Sequence, residues 1–118
     1  MSNPVSVVSD GSDQEPAHGW TPVTQTAAPL IAFPDKQGLA PGRISRGLLV
    51  RAPGPDDDEP NTAPVYVGAR RVTGDRNIGT GGTPLPPGAS ITIPCRDPSK
   101  IFVVTASGAT QYVSWIGV

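Results

Sequence analysis

The sequence predicts an all-β fold, a small β-sandwich or jelly-roll-like barrel, preceded by an extended N-terminal arm. Three observations carry this expectation. Short runs of Val, Ile, Leu and aromatic residues alternate apolar with polar at the two-residue period of a strand. Gly- and Pro-rich turn chemistry separates those runs, the 15 prolines and 14 glycines making up about a quarter of the 118 residues. No segment has the periodicity of an amphipathic helix of about ten residues or more.

Composition then bounds the body. A single domain of this length buries only about two-thirds of its extended-chain surface. Apolar residues are 36% of the chain and only six are aromatic, Trp20, Phe33, Tyr66, Phe102, Tyr112 and Trp115, so the core is thin and gains from burial against a partner. A formal charge of −1 gives no electrostatic excess for nucleic acid or an anionic membrane. One cysteine, Cys95, excludes an intrachain disulfide and suits assembly in a reducing compartment. The N-terminus shows no basic region followed by an apolar run, and no stretch approaches the ~20 apolar residues of a spanning helix.

In chain order, residues 1–28 read as the arm. Pro4, Pro16 and Pro22, the turn-prone Asp10-Gly11 and an isolated Val7-Val8 form no buried face. Trp20, with Val7 and Val8, is the candidate anchor by which the arm would lie across a neighbour. The body is expected over residues 29–118. An edge strand is expected at Leu30-Ile31-Ala32-Phe33, stopped by Pro34, with a loop to Pro41-Gly42. Residues 45–52 form a strand with Leu48 and Val50 on one face and Leu49 and Arg51 on the other. Residues 53–60 carry three prolines and the run Asp56-Asp57-Asp58-Glu59, a solvated loop of unassigned role. Residues 63–69 give a strand with Val65 and Val67 opposite Tyr66, with Arg71 to Thr73 as a continuation after a bend. Residues 75–87 read as a long connection. Residues 89–94 turn Ile91 and Ile93 inward and Ser90 and Thr92 outward. Residues 101–105 and 111–118, joined at Ser107-Gly108-Ala109, read as a closing hairpin at the centre of the sheet, with Val113 and Trp115 on its core side.

The residues for catalysis are sparse. The sole histidine, His18, lies in the expected arm, where no scaffold fixes it against a nucleophile or carboxylate. Cys95 follows a proline with only Arg96 nearby and reads as a half-buried apolar residue. One His and one Cys give no zinc set, and four consecutive acids lack calcium-loop spacing. Gly79-Thr80-Gly81-Gly82 lacks the Lys-Ser or Lys-Thr and the helix of a phosphate cradle, so these glycines are assigned to positive-φ turns. No catalytic residue, metal or cofactor is therefore expected. Arg43 with Arg46 and Arg70 with Arg71 are basic pairs placed to meet an acidic neighbour or to sit in solvent.

The strings Ala63-Pro64-Val65-Tyr66-Val67-Gly68, Thr83-Pro84-Leu85-Pro86-Pro87-Gly88-Ala89-Ser90-Ile91-Thr92-Ile93-Pro94, Asp97-Pro98-Ser99-Lys100-Ile101-Phe102-Val103-Val104 and Tyr112-Val113-Ser114-Trp115-Ile116-Gly117-Val118 resemble small structural proteins of tailed-phage virions. The resemblance covers residues 45–118. It implies a non-enzymatic capsid decoration (cement) protein on the outer capsid surface, assembled in the host cytoplasm. The implied partners are the major capsid protein and further copies of the chain, as a homotrimer or other homo-oligomer, with no nucleic acid and no membrane. The alternative it leaves open is a head-fibre or tail component, or a receptor- or carbohydrate-binding module stacking a ligand on Tyr66, Tyr112 or Trp115. An arm of about 20 residues costs ~1–2 kcal/mol per residue to order, so only a long contact offsets it.

Overall fold

Alternation of apolar and polar residues pins the faces of every long strand. In the computed structural model, which describes residues 15–31, 43–75 and 78–118, eight strands form two four-stranded sheets packed face to face. They are β1 (His18–Val23), β2 (Ala28–Pro29), β3 (Leu48–Arg51), β4 (Val65–Gly68), β5 (Thr83–Leu85), β6 (Ser90–Ile93), β7 (Phe102–Thr105) and β8 (Gln111–Gly117), with a single 3-10 turn at Pro98–Lys100. The first sheet has the order β1-β8-β3-β6 and the second β2-β7-β4-β5, all pairs antiparallel. This is the sandwich, not the closed barrel.

The inward residues are those the two-residue period selects. Leu48 and Val50 of β3 and Val113 and Trp115 of β8 face Val65 and Val67 of β4 and Val103 of β7 across one core. Ile91 and Ile93 point inward but stay half-buried, because β6 is an edge with a neighbour on one side only. Cys95 packs half-buried against the same core.

Several expectations are corrected. Residues 101–105 and 111–118 do not form a hairpin: β7 belongs to the second sheet and β8 to the first, so the chain crosses between sheets there. Each strand is nevertheless interior to its own sheet, which is why both read as strongly apolar. The folded body does not begin at residue 29. His18–Val23 pairs along its whole length with β8, Thr21 and Val23 being buried, so Pro22 sits on the edge strand of a sheet where a missing N–H is tolerated, and Glu15 to Ala17 bond to Arg43, with Pro16 in an isolated bridge to it. Only residues 1–14 of the expected arm are left, outside the described residues. The connection over residues 75–87 also contains a strand, β5, which pairs with β4.

The edge strand expected at Leu30 to Phe33 is displaced to Ala28–Pro29, paired with β7, and Ala32, Phe33 and the loop to Gly42 lie outside the described residues. Arg71 to Thr73 do not extend β4; they belong to its return, where Thr73 bridges Gly81. That return passes beside the outer face of β7, with Val72, Thr73 and Val104 lining one cleft, and leaves Val104 buried. Gly81 and Gly82 serve close approach and not positive φ, which among the described glycines occurs only at Gly88 (φ 89°), and Gly79 has open space around it. A Cβ on Gly82 would stand 2.9 Å from the Val67 carbonyl oxygen.

Candidate functional site

Turning Val113 and Trp115 into the core forces Tyr112, Ser114 and Ile116 outward, and turning Thr21 and Val23 inward forces His18, Trp20 and Pro22 outward. The register sets His18 beside Ile116, Trp20 beside Ser114 and Pro22 beside Tyr112, with Leu49 on the far side of Ile116 and Arg51 on the far side of Ser114. The outer face of the first sheet therefore carries an apolar row. Trp20 is 64% exposed and Tyr112 and Ile116 are each 38% exposed. A contiguous exposed apolar patch on a small domain marks a contact surface.

Gly19 makes the same face possible. It points inward between Trp20 and His18, and a Cβ there would fall 2.9 Å from Cζ2 of Trp115. The indole of Trp115 occupies that space, so the sheet packs Trp115 inside and leaves Trp20 outside. The Trp115 Nε1–H is buried without an acceptor among the described residues. Of the three rings considered for ligand stacking, only Tyr112 is exposed; Trp115 is core and Tyr66 half-buried.

The acidic loop is held against one end of this face. Asp57 Oδ2 accepts from the Gly54 N–H at 2.6 Å and from Arg51 Nη2 at 3.0 Å. These two bonds, the Gly54 N–H foremost, hold the Asp57 carboxyl below its usual range. Continuing the register of Arg51 with Ser114 by two residues sets Pro53, which has no N–H, opposite Tyr112. Asn61 supplies what the proline lacks: its Nδ2 donates to the Tyr112 carbonyl at 2.8 Å and its Oδ1 accepts the Tyr112 N–H at 2.8 Å. Gln111, 1% exposed, accepts from the Thr62 and Ala63 N–H groups at 2.7 and 3.1 Å. Trp20, Tyr112, Pro53, Asp57, Asp58 and Glu59 consequently line one open cleft of about 540 Å³. Of residues 56–59, whose role the sequence left unassigned, Asp57, Asp58 and Glu59 rim this cleft with carboxylates.

Basic residues gather at the opposite end. Gly117, Leu48 and Ile93 form one row, Gly68 pairs with Phe102, and Gly68, Ala69, Ile93, Pro94 and Lys100 line a common cleft, so these strand ends lie together. The Ser45, Arg46 and Gly47 N–H groups donate to the Val118 carbonyl, and Arg43 Nη1 donates to Ser45 Oγ at 2.6 Å. Arg70 and Arg71 follow β4, and Arg96 and Lys100, not singled out in the sequence, lie between β6 and β7. Of seven described Lys and Arg residues, Arg51 alone is elsewhere. Glu15 and Asp97 are interspersed at the basic end, Asp97 taken up by Ser99. The structure thus places the two arginine pairs at the same end of the sandwich and Trp20 toward the acidic end; Val7 and Val8 lie outside the described residues.

His18 stands exposed on the edge strand beside Ile116, and Cys95 Sγ lies 3.6 Å from the Asp97 carbonyl oxygen, donating weakly to it. No group of three or more His, Cys, Asp or Glu residues among the described ones is placed to hold a metal ion. No protein-family model, curated protein or solved structure matches the chain.

Proposed function

We propose that the chain is a non-enzymatic structural protein that works by docking the outer face of its first sheet on protein, and that its setting is the virion, as a capsid decoration protein bound to the major capsid protein on the outer shell. One observation carries the docking reading: an edge strand displays Trp20 at 64% exposure beside Tyr112 and Ile116, with most of the indole in solvent. The virion setting is supported by the resemblance of residues 45–118 to tailed-phage structural proteins and by the thin core, which suits contacts repeated many times over a shell.

The test is to add the purified chain to phage particles lacking it and image them by cryo-electron microscopy. Regular density over the joints of the capsid, reduced by Trp20→Ala, is the expected result. Density restricted to a fibre or the tail would move the chain to the alternative setting, and no density would reject the virion reading.

The cleft favours a second reading. Trp20 and Tyr112 beside Asp58 and Glu59 offer stacking faces next to hydrogen-bond acceptors, the chemistry that holds a sugar ring. Quenching or a blue shift of Trp20 fluorescence on titration with mono- and oligosaccharides, abolished in Trp20→Ala, would favour that reading over protein docking.

A further inference from the structure

We propose that the exposed sheet face of one copy seats the basic end of a second copy, so that copies of this chain add head to tail. The inference rests on reading that face as a protein-docking surface and names its partner.

The argument is one of complementarity within a single chain. The face ends in a cleft with two exposed aromatic rings, Trp20 and Tyr112, and the carboxylates of Asp58 and Glu59, neither of which makes an ion pair or hydrogen bond among the described residues. A ring face rimmed by carboxylates suits a guanidinium or ammonium group, which stacks on the ring and pairs with the acid. The same molecule offers such groups at its other end, where Arg46, Arg70, Arg71, Arg96 and Lys100 have no ion pair among the described residues. The two surfaces differ and stand at opposite ends, so their contact is heterologous. It leaves one cleft and one basic end unused in every dimer and continues into a ring or a filament. Net charge near zero hides this arrangement, because the opposing charges cancel in the sum and are separated only by the fold.

Sedimentation velocity of the full chain at about 0.05 M and about 0.5 M salt tests it. The wild type is expected to form species larger than a dimer at low salt, with association weakened roughly tenfold or more at high salt. Trp20→Ala removes the cleft and Arg70→Ser with Arg71→Ser weakens the basic end; all three residues are exposed, and unchanged thermal midpoints would show both variants folded. Each variant alone is expected to sediment as a monomer. Their mixture is expected to form a one-to-one heterodimer and stop, because one intact cleft meets one intact basic end. A wild-type monomer at all concentrations and low salt, association untouched by either variant, or a mixture that stays monomeric would each overturn the inference. Failure here, with Trp20-dependent binding to particles retained, would leave the docking reading standing with another partner. Head-to-tail association without particle binding would reject the virion setting alone.

Discussion

Asn61 is a side chain standing in for a strand, and removing it should cost far more than its place in a loop suggests. Asn61→Ala deletes two 2.8 Å bonds to the Tyr112 main chain at a point where Pro53 offers no donor. Two bonds at a net ~1 kcal/mol each give about 2 kcal/mol, and leaving the Tyr112 N–H and C=O short of partners adds up to about 1 kcal/mol apiece where water cannot reach them. The expected loss is about 2–4 kcal/mol, a large share of the ~5–15 kcal/mol of a whole domain. For a folded body of this size it lowers the melting midpoint by roughly 10–25 °C. Urea unfolding followed by fluorescence reads it directly, since Trp115 is buried and Trp20 is not. Asn61→Asp is the control. It keeps the acceptor for the Tyr112 N–H but sets a carboxylate against the Tyr112 carbonyl oxygen, which raises the folded-state pKa of the new acid. Its stability should therefore be highest below the unfolded-state pKa of about 4 and be lost as pH rises through the folded value. A loss below about 0.5 kcal/mol for Asn61→Ala would refute the backbone-substitute role.

Three further outcomes follow from the packing and charge. Gly19→Ala drives a Cβ into the Trp115 indole and should destabilise by about 1–3 kcal/mol in the same urea assay, whereas Gly108→Ala, with open space around it, should be close to neutral. Val103→Ala, fully buried, is expected to cost about 2–3 kcal/mol and Ile93→Ala, half-buried on the edge strand β6, less than its larger side chain would suggest, about 1–2 kcal/mol; equal or inverted costs would show that edge position does not govern burial here. Because Asp57 has a depressed folded-state pKa, its contribution is present above the unfolded-state value and is lost as pH falls through the folded one; Asp57→Asn should flatten the acid limb of a stability profile measured from neutral pH downward.

The strand faces were legible in the sequence because each depends on a local alternation. Leu48 with Val50, Val65 with Val67, and Val113 with Trp115 all point inward as their spacing requires. Pairing was not legible. β7 and β8 are adjacent in the chain and joined by turn residues, yet each finds its partners in a different sheet, an outcome fixed by which apolar faces meet across the core. Likewise Pro22 argued against a strand, but β1 lies at an edge, and only the sheet order makes an edge available. Trp20 was identifiable as a candidate contact residue from its size and surroundings, although its setting proved to be a sheet face and not an arm. Asn61 and Gln111 left no local mark, since their bonds run to residues about 50 positions away.

By itself, then, the sequence determined the all-β class, the inward set of each long strand and the near-balance of charge, all properties of short windows or of sums. Tertiary structure alone decided the sheet order, the aromatic face with its acidic rim, and the gathering of basic residues at the far end. These depend on strands separated in the chain being brought into register, a long-range packing result that no local period encodes.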